Sequence, residues 1–250
     1  DGAVAWDSPW GRGRPGWHIE CSAMALALLG PTLDIHTGGV DLIFPHHSNE
    51  IAQTEAVTGC PLARFWLHNG FVNLTEEKMA KSVGNTVGLA QLMERGLTPL
   101  ALRYWFLTVH YRTTVNFSWE ALEGAQTALH RLQDFMSGNK ETGAVNNDYL
   151  QLFTEAVNNN LNLPQAVAVV WKLLADRHQT PADIRASLLE FDEVLGLDLA
   201  GVKPLVVPHP IESLVQEREL ARQTKDWSRA DSLRQQIEAA SVDGVHEDVG

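Results

Sequence analysis

Cys21 and the run His46-His47-Ser48-Asn49-Glu50 offer a thiol, imidazoles and a carboxylate within a short span of sequence. With residues 45–58 helical, His46 and Glu50 stand at i and i+4 and project from one face. Sulfur, nitrogen and oxygen donors that converge in this way suit zinc, which takes Cys sulfur at about 2.3 Å and His nitrogen at about 2.0–2.1 Å. Three donors are one short of a closed tetrahedral site. The fourth position then belongs to substrate or water, or to a ligand outside this stretch. The competing reading makes Cys21 a small buried hydrophobe, His46 a core or capping residue and Glu50 a solvated helix residue. Five histidines and both cysteines fall within the first 68 residues, and the clustering around Cys21 raises the metal reading. Spacing alone leaves both open.

Three further groupings carry chemistry. Lys78-Met79-Ala80-Lys81-Ser82, followed by Gly84-Asn85, lies on a polar stretch read as a loop. Two lysines on a Gly-flanked loop can close over a polyphosphate and offset the charge that develops as pyrophosphate leaves. Two lysines at this spacing are otherwise an ordinary solvated loop. Gly38-Gly39-Val40-Asp41 reads as a turn after a strand. Its glycines let backbone approach a ligand, and Asp41 is placed to hold a ribose hydroxyl, although most two-glycine turns are only turns. Trp17-His18 can line a small pocket, or Trp17 can be plain core. Cys60, before Pro61, reads as a loop bystander.

The elements that must position these residues follow from patterning. His18–Leu29 suits a helix stopped by Gly30-Pro31, and Leu33–His36 a short strand leading into Thr37-Gly38-Gly39. Pro45–Thr58 suits a helix closed by Gly59, and Arg64–Leu74 a strand. Residues 76–87 read as loop. Short strands alternating with helices imply an α/β layer. After Gly88, helical spacing dominates: Pro99–Val109, Trp119–Met136, Tyr149–Asn159 and Pro164–Arg177. Thr180-Pro181-Ala182-Asp183 opens another helix, which Gly196 ends. Val202–Pro210, with three prolines, reads as a linker before a charged helical hairpin, Ile211–Thr224 and Trp227–Ala240. The reading is thus α/β followed by all-α, with divisions at 1–90, 91–205 and 206–250.

At 250 residues the chain can bury a sizeable core. A formal net charge of −12 argues against non-specific nucleic-acid binding and leaves room for a local basic groove. Arg103, Arg112, Lys172 and Arg177 are candidate phosphate contacts. Two cysteines make no disulfide framework, which fits the cytoplasm. No apolar run approaches the roughly 20 residues of a membrane span.

The runs Pro15-Gly-Trp-His-Ile-Glu-Cys21, Asp34-Ile-His-Thr-Gly-Gly-Val-Asp-Leu-Ile-Phe-Pro-His-His-Ser-Asn-Glu50 and Lys78-Met-Ala-Lys-Ser82 resemble cysteinyl-tRNA synthetases, which are class I aminoacyl-tRNA synthetases. The resemblance extends over essentially the whole chain, specific through residue 120 and looser beyond. Thr98-Pro-Leu-Ala-Leu-Arg103 and His110-Tyr-Arg112 resemble the start of the family's helical anticodon-side domain. Asp226-Trp-Ser-Arg-Ala-Asp231 resembles its C-terminal part.

The resemblance implies the second half of a Rossmann-like catalytic domain followed by a helical bundle. It implies ATP-dependent activation of cysteine, with Mg2+, and transfer to tRNA(Cys), without membrane or DNA partners. Zinc is then held by Cys21, His46 and Glu50 together with a cysteine from earlier in the sequence, and binds the thiolate of the substrate. A thiolate ligates zinc well and a serine hydroxyl poorly, which is a selectivity device that needs no editing domain. Trp17 and His18 match pocket residues, Gly39 and Asp41 match the region approaching ATP, and Lys78 and Lys81 match the KMSKS lysines, Lys81 contacting ATP.

The sequence departs from the family pattern in two places. Ala80 replaces a serine of KMSKS while both lysines stay, so a modest effect on activation is expected. No HIGH-like sequence occurs in the 250 residues. The stretch is therefore expected to need upstream sequence for adenylation, and to hold zinc weakly at best by itself. A mycothiol-pathway cysteine ligase and a non-catalytic tRNA-binding paralogue are the competing readings. The synthetase-like run through Ser48-Asn49-Glu50 and the long helical tail weigh against the first. The five intact chemical groups Cys21, His46, Glu50, Lys78 and Lys81 weigh against the second.

Overall fold

The computed structural model describes residues 4–74, 77–78, 87–202 and 209–244. It divides into two compact units, Asp1–Gly201 and Val202–Gly250. In the first unit, α1 (His18–Leu29) ends at Gly30, whose φ of 93° a residue with a Cβ rarely adopts. Strand β1 (Leu33–Gly39) follows. A 3-10 turn (Val40–Leu42) and a wider turn (Ile43–His47) then lead into α2 (Ser48–Thr58). Gly59 closes α2 in the left-handed region, its N–H donating to the Glu55 carbonyl at 2.9 Å. Strand β2 (Ala63–Asn69) pairs parallel with β1, from Leu33 opposite Ala63 to Gly39 opposite Asn69. Parallel pairing needs a crossover, and α2 with its entry turns supplies it.

Three local expectations change here. The pair Gly38-Gly39 is strand rather than turn, because both residues stay paired with His68 and Asn69. Helix α2 starts at Ser48 rather than Pro45, because Phe44 is extended (φ −137°, ψ 134°) and breaks the helical path. The Ser48 hydroxyl ties the turn closed by donating to the Ile43 carbonyl at 3.0 Å. The strand expected over Arg64–Leu74 splits at Gly70. A Cβ on Gly70 would lie 2.6 Å from the Thr113 carbonyl group, so only glycine admits that neighbouring segment. Beyond the split, β3 (Val72–Leu74) pairs antiparallel with β4 (Glu77–Lys78) and parallel with β5 (Val115–Phe117).

Each face of the β1–β2 pair has its own chemistry, as alternation along a strand requires. His36 and Gly38 share one face with Trp66 and His68. On the other face Ile35 and its register partner Phe65 are 60% and 66% exposed.

The helical part comprises α3 (Leu89–Glu94), α4 (Pro99–Leu107), α5 (Trp119–Gly138), α6 (Asn147–Asn158), α7 (Leu163–Ala175) and α8 (Pro181–Leu195). Helix α3 and strand β5 escape the sequence reading because they are too short to show periodicity. Thr98, Ser118, Asn146, Asn162 and Thr180 each accept a backbone N–H in the first turn of α4 to α8. Such caps supply partners for N–H groups that the helix itself leaves unpaired. The core is aliphatic, with Leu122, Leu129, Leu132, Leu173 and Leu188 fully buried. Phe191 stacks on Phe153 with ring centroids 4.3 Å apart. Half-buried Trp171 and buried Tyr104 are not purely apolar partners: the indole N–H donates to the phenol oxygen at 2.8 Å.

Arg103, a phosphate candidate from sequence, also has a partner within the fold. Its Nε donates to the Leu195 carbonyl at 2.5 Å. Its guanidinium also lies against Gly196, where a Cβ would meet it at 2.8 Å. Arg103 thus caps the C-terminus of α8. Asp192 completes that end by accepting from the Leu197 and Leu199 N–H groups, both at 2.7 Å.

The second unit is a hairpin of α9 (His209–Gln223) and α10 (Trp227–Gly244). Ala221, Ala230 and Leu233 are buried between the two helices, with Leu214 packed against them. Asp226 Oδ1 accepts the Arg229 N–H at 3.1 Å, and Arg229 pairs with Glu217 at 3.0 Å.

Two carboxylates of the bundle make its stability depend on pH. Asp183 accepts from the Ala144 N–H at 2.8 Å and the Thr180 hydroxyl at 2.7 Å. Asp176 accepts from the His178 N–H at 2.9 Å and the Tyr149 hydroxyl at 3.0 Å. These donors, the backbone N–H first in each case, hold both carboxyls below their ordinary value of 3.8. A lowered folded-state pKa contributes stability that is fully present above the unfolded value and is lost as pH falls through the folded one. The urea midpoint, followed downward from about pH 5, should therefore fall steeply below about pH 4, and less steeply in Asp183→Asn.

Candidate metal centre

Four elements meet at Glu50. Helix α1 brings Trp17, His18 and Cys21, the turn before α2 brings His46 and His47, β1 brings His36, and β2 brings Trp66 and His68. Glu50 is 1% exposed, His46 4% and His47 3%. The donor atoms of Cys21, His46 and Glu50 all lie within 4.8 Å of one another. His46 Nε2 and Glu50 Oε2 are 3.6 Å apart. Tetrahedral zinc with bonds of about 2.0–2.2 Å to nitrogen and oxygen sets such edges at roughly 3.3–3.5 Å. The three donors expected from sequence therefore lie together, with the His46–Glu50 separation close to a zinc edge, although His46 comes from the turn rather than from the helix.

Electrostatics also fit a cation. Burial, then the negative charges of Glu50 and Glu20, push the Cys21 thiol above its ordinary value of 9.0. Thiolate and carboxylate thus oppose each other when nothing positive lies between them, and a divalent ion reverses that relation. His47 supplies no such charge near neutrality. Burial first, then His36, His68 and His46, lower its pKa from 6.5 to about 4. A buried carboxylate beside a neutral His47 imidazole is a site that a metal would complete. Cys21, His46 and Glu50 are the residues that would hold it.

The pocket residues expected from sequence gather on His46. The Trp17 ring stacks on the imidazole with centroids 3.6 Å apart and planes 19° apart. His18 Nδ1 lies 2.9 Å from His46 Nδ1. For His46 to offer a bare Nε2 to a metal, its Nδ1 must donate to His18, so this contact is the one that sets the tautomer. Gly39 and Asp41 are also adjacent: a Cβ on Gly39 would lie 2.5 Å from Asp41 Oδ1. Lys78 lies on β4, its side chain outside the described residues, and Lys81 lies outside them altogether.

Four residues here were not singled out from sequence. His36 Nε2 is 3.0 Å from Glu50 Oε2, and His47 Nδ1 is 2.8 Å from His68 Nε2. The Trp66 ring faces both His36 and His47, at 4.8 and 5.1 Å. His36, His47 and Glu50 form a second group of donor atoms within 4.8 Å of one another. Histidine clustering in the first 68 residues was the available signal. Parallel pairing, which sets His36 beside Trp66 and Gly38 beside His68, was not readable from it.

Gly38 makes the arrangement possible. A Cβ there would lie 2.7 Å from His47 Cε1 and 2.8 Å from a Leu42 methyl carbon. Gly38→Ala should displace the His47 ring and destabilise the fold by about 1–3 kcal/mol, as measured by urea unfolding.

Comparisons with known proteins give the chain's family. A family profile described as the tRNA synthetases class I (C) catalytic domain matches residues 1–127. Cysteine–tRNA ligase 1 of Burkholderia lata is 49% identical over 239 residues, covering 94% of this chain and 51% of its own. The cysteine–tRNA ligase of Halalkalibacterium halodurans is 44% identical, covering 97% of this chain and 56% of its own. The chain thus spans about half the length of the curated relatives it matches. Among solved structures, the ternary complex of Agrobacterium radiobacter K84 agnB2 LeuRS with tRNA and LeuAMS superposes with a TM-score of 0.55 at 14% identity. It covers 79% of this chain and 33% of that one, a likeness of fold. With half of its length matched by the family profile, the chain belongs to the class I (C) tRNA synthetase family.

Proposed function

We propose that the protein works as a cysteine–tRNA ligase, activating cysteine with ATP to cysteinyl-adenylate and passing it to tRNA(Cys). The observation that carries this reading is the convergence of half-buried Cys21 with buried His46 and Glu50. Zinc bound there would supply a soft Lewis acid for the substrate thiol, which distinguishes cysteine from serine by the ligating atom rather than by size. Trp17 and His18 line the cysteine pocket, and both already contact the His46 ring.

The chemistry beside the metal falls to this chain's charged and backbone groups. Gly39 and Asp41 approach ATP, the glycine by close backbone contact and the carboxylate by accepting from a ribose hydroxyl. The carboxylate of cysteine attacks the α-phosphate in line, and pyrophosphate departs. Lys78 and Lys81 offset the charge that develops on the leaving group, with Mg2+ on the phosphates. Residues 1–90 contribute to catalysis, 91–205 form the helical anticodon-side domain, and 206–250 form a small helical appendage. The protein acts in the cytoplasm on tRNA, with no role on DNA. No described helix is long and apolar enough to cross a membrane.

Cysteine-dependent ATP–pyrophosphate exchange by the full-length protein tests the assignment. Lys81→Ala is expected to slow exchange about 10²–10³-fold, the cost of removing one donor to developing charge. Cys21→Ser is expected to abolish stoichiometric zinc in elemental analysis and to raise the KM for cysteine. An exchange rate unchanged by Lys81→Ala would refute the role of that lysine, and exchange that does not depend on cysteine would refute the substrate.

A further inference from the structure

Glu50 belongs to two groups of donor atoms, one with Cys21 and His46 and one with His36 and His47. Either His36 is a ligand of a second metal, or it serves the first metal from outside. Distance separates these alternatives. Two ligands sharing a tetrahedral zinc stand roughly 3.3–3.5 Å apart, and a hydrogen bond from nitrogen to oxygen is about 2.7–3.2 Å. His46 Nε2 stands 3.6 Å from Glu50 Oε2, near the first class, and His36 Nε2 stands 3.0 Å from the same oxygen, within the second.

Resting on the metal reading above, we infer that His36 is a positioning residue: its Nε2–H holds Glu50 Oε2 toward the metal position beside His46 and Cys21, and His36 is not itself a ligand. A carboxylate that ligates a metal is ionised and only accepts hydrogen bonds, so in the metal-binding state the 3.0 Å contact requires the proton on His36 Nε2. A nitrogen carrying that proton has no lone pair for a metal. The ring is held in turn. It is part of β1, opposite Trp66 of β2, with the Trp66 ring centroid at 4.8 Å and the His47 ring centroid at 4.6 Å. Its side chain is 21% exposed, whereas that of Glu50 is 2% exposed. A partly exposed donor on a sheet strand thus fixes the angle of a buried acceptor on a helix. Outer partners of this kind orient ligands and strengthen metal binding.

Cobalt(II) titration of the purified full-length protein, read by the thiolate-to-cobalt absorption band, tests this. The parent should take one cobalt per chain. His36→Phe and His36→Asn, which remove or shorten the donor, should weaken binding about 10–100-fold while keeping the band. His36→Gln, whose amide N–H reaches the place of Nε2, should return to within about threefold of the parent. If His36→Phe binds cobalt as tightly as the parent, or if the parent takes two cobalt ions and His36→Phe one, the inference is wrong. Should the parent show no thiolate–cobalt band, the metal centre itself fails, and the hydrogen bond is then read on its own. Long-range nitrogen-15 spectra of the metal-free protein then separate the two: a proton on His36 Nε2 supports the hydrogen bond, and a bare Nε2 overturns it by itself.

Discussion

A carboxylate at 1% exposure, with three imidazole nitrogens within 3.9 Å of one of its oxygens, is the constraint around which the α/β part is arranged. Glu50 cannot stay ionised in such a place without compensation, because removing a charge from water costs several kcal/mol even after relaxation. His47 is held neutral by its burial and its imidazole neighbours, so compensation must come from hydrogen bonds and from a cation. Each element near the site contributes one part of that answer. Strand β1 presents a donor, the turn before α2 presents an imidazole ligand, and α1 presents a thiol that only a cation would keep as thiolate beside Glu50.

Bringing four elements this close depends on positions where side chains are missing. Gly38 leaves room for the His47 ring above β1, and Gly70 lets the Thr113 segment pass where β2 gives way to β3. The helical part solves a different problem, the unpaired groups at helix ends, by side-chain caps at the start of five helices and by Arg103 and Asp192 at the end of α8. That use of Arg103 shows why a list of basic residues is a poor map of a nucleic-acid surface. A guanidinium at the surface, as that of Arg103 is, can donate to a carbonyl of its own fold as readily as to a phosphate.

The proposed selectivity follows from the same centre. Discrimination by the size of a pocket yields about 10–200-fold per methylene, whereas a bond to the distinguishing atom yields far more. A preformed sulfur, nitrogen and oxygen donor set, with an aromatic ring stacked on its imidazole, is a rigid base for such a bond. The stack and the His18 contact constrain His46 before any ligand arrives, which limits the ordering that binding must impose.

Much of this was legible in the residues themselves. The helix His18–Leu29, the glycine stops at 30, 59 and 196 and the Thr180 cap follow from local backbone chemistry that neighbours a few positions away determine. The donor types of Cys21, His46 and Glu50, with the family resemblance, pointed to a metal, since ligand chemistry resides in the side chains. What the residues could not settle was which histidine does what. His18, His36, His46, His47 and His68 are chemically alike, and their roles differ only by which nitrogen faces which neighbour. Those directions come from the parallel register of β1 and β2 and from the extended Phe44 that delays α2 to Ser48. Both join residues distant in sequence through backbone geometry, so while His46 was singled out from the resemblance, the neighbours that His18, His36, His47 and His68 face came from the tertiary structure alone.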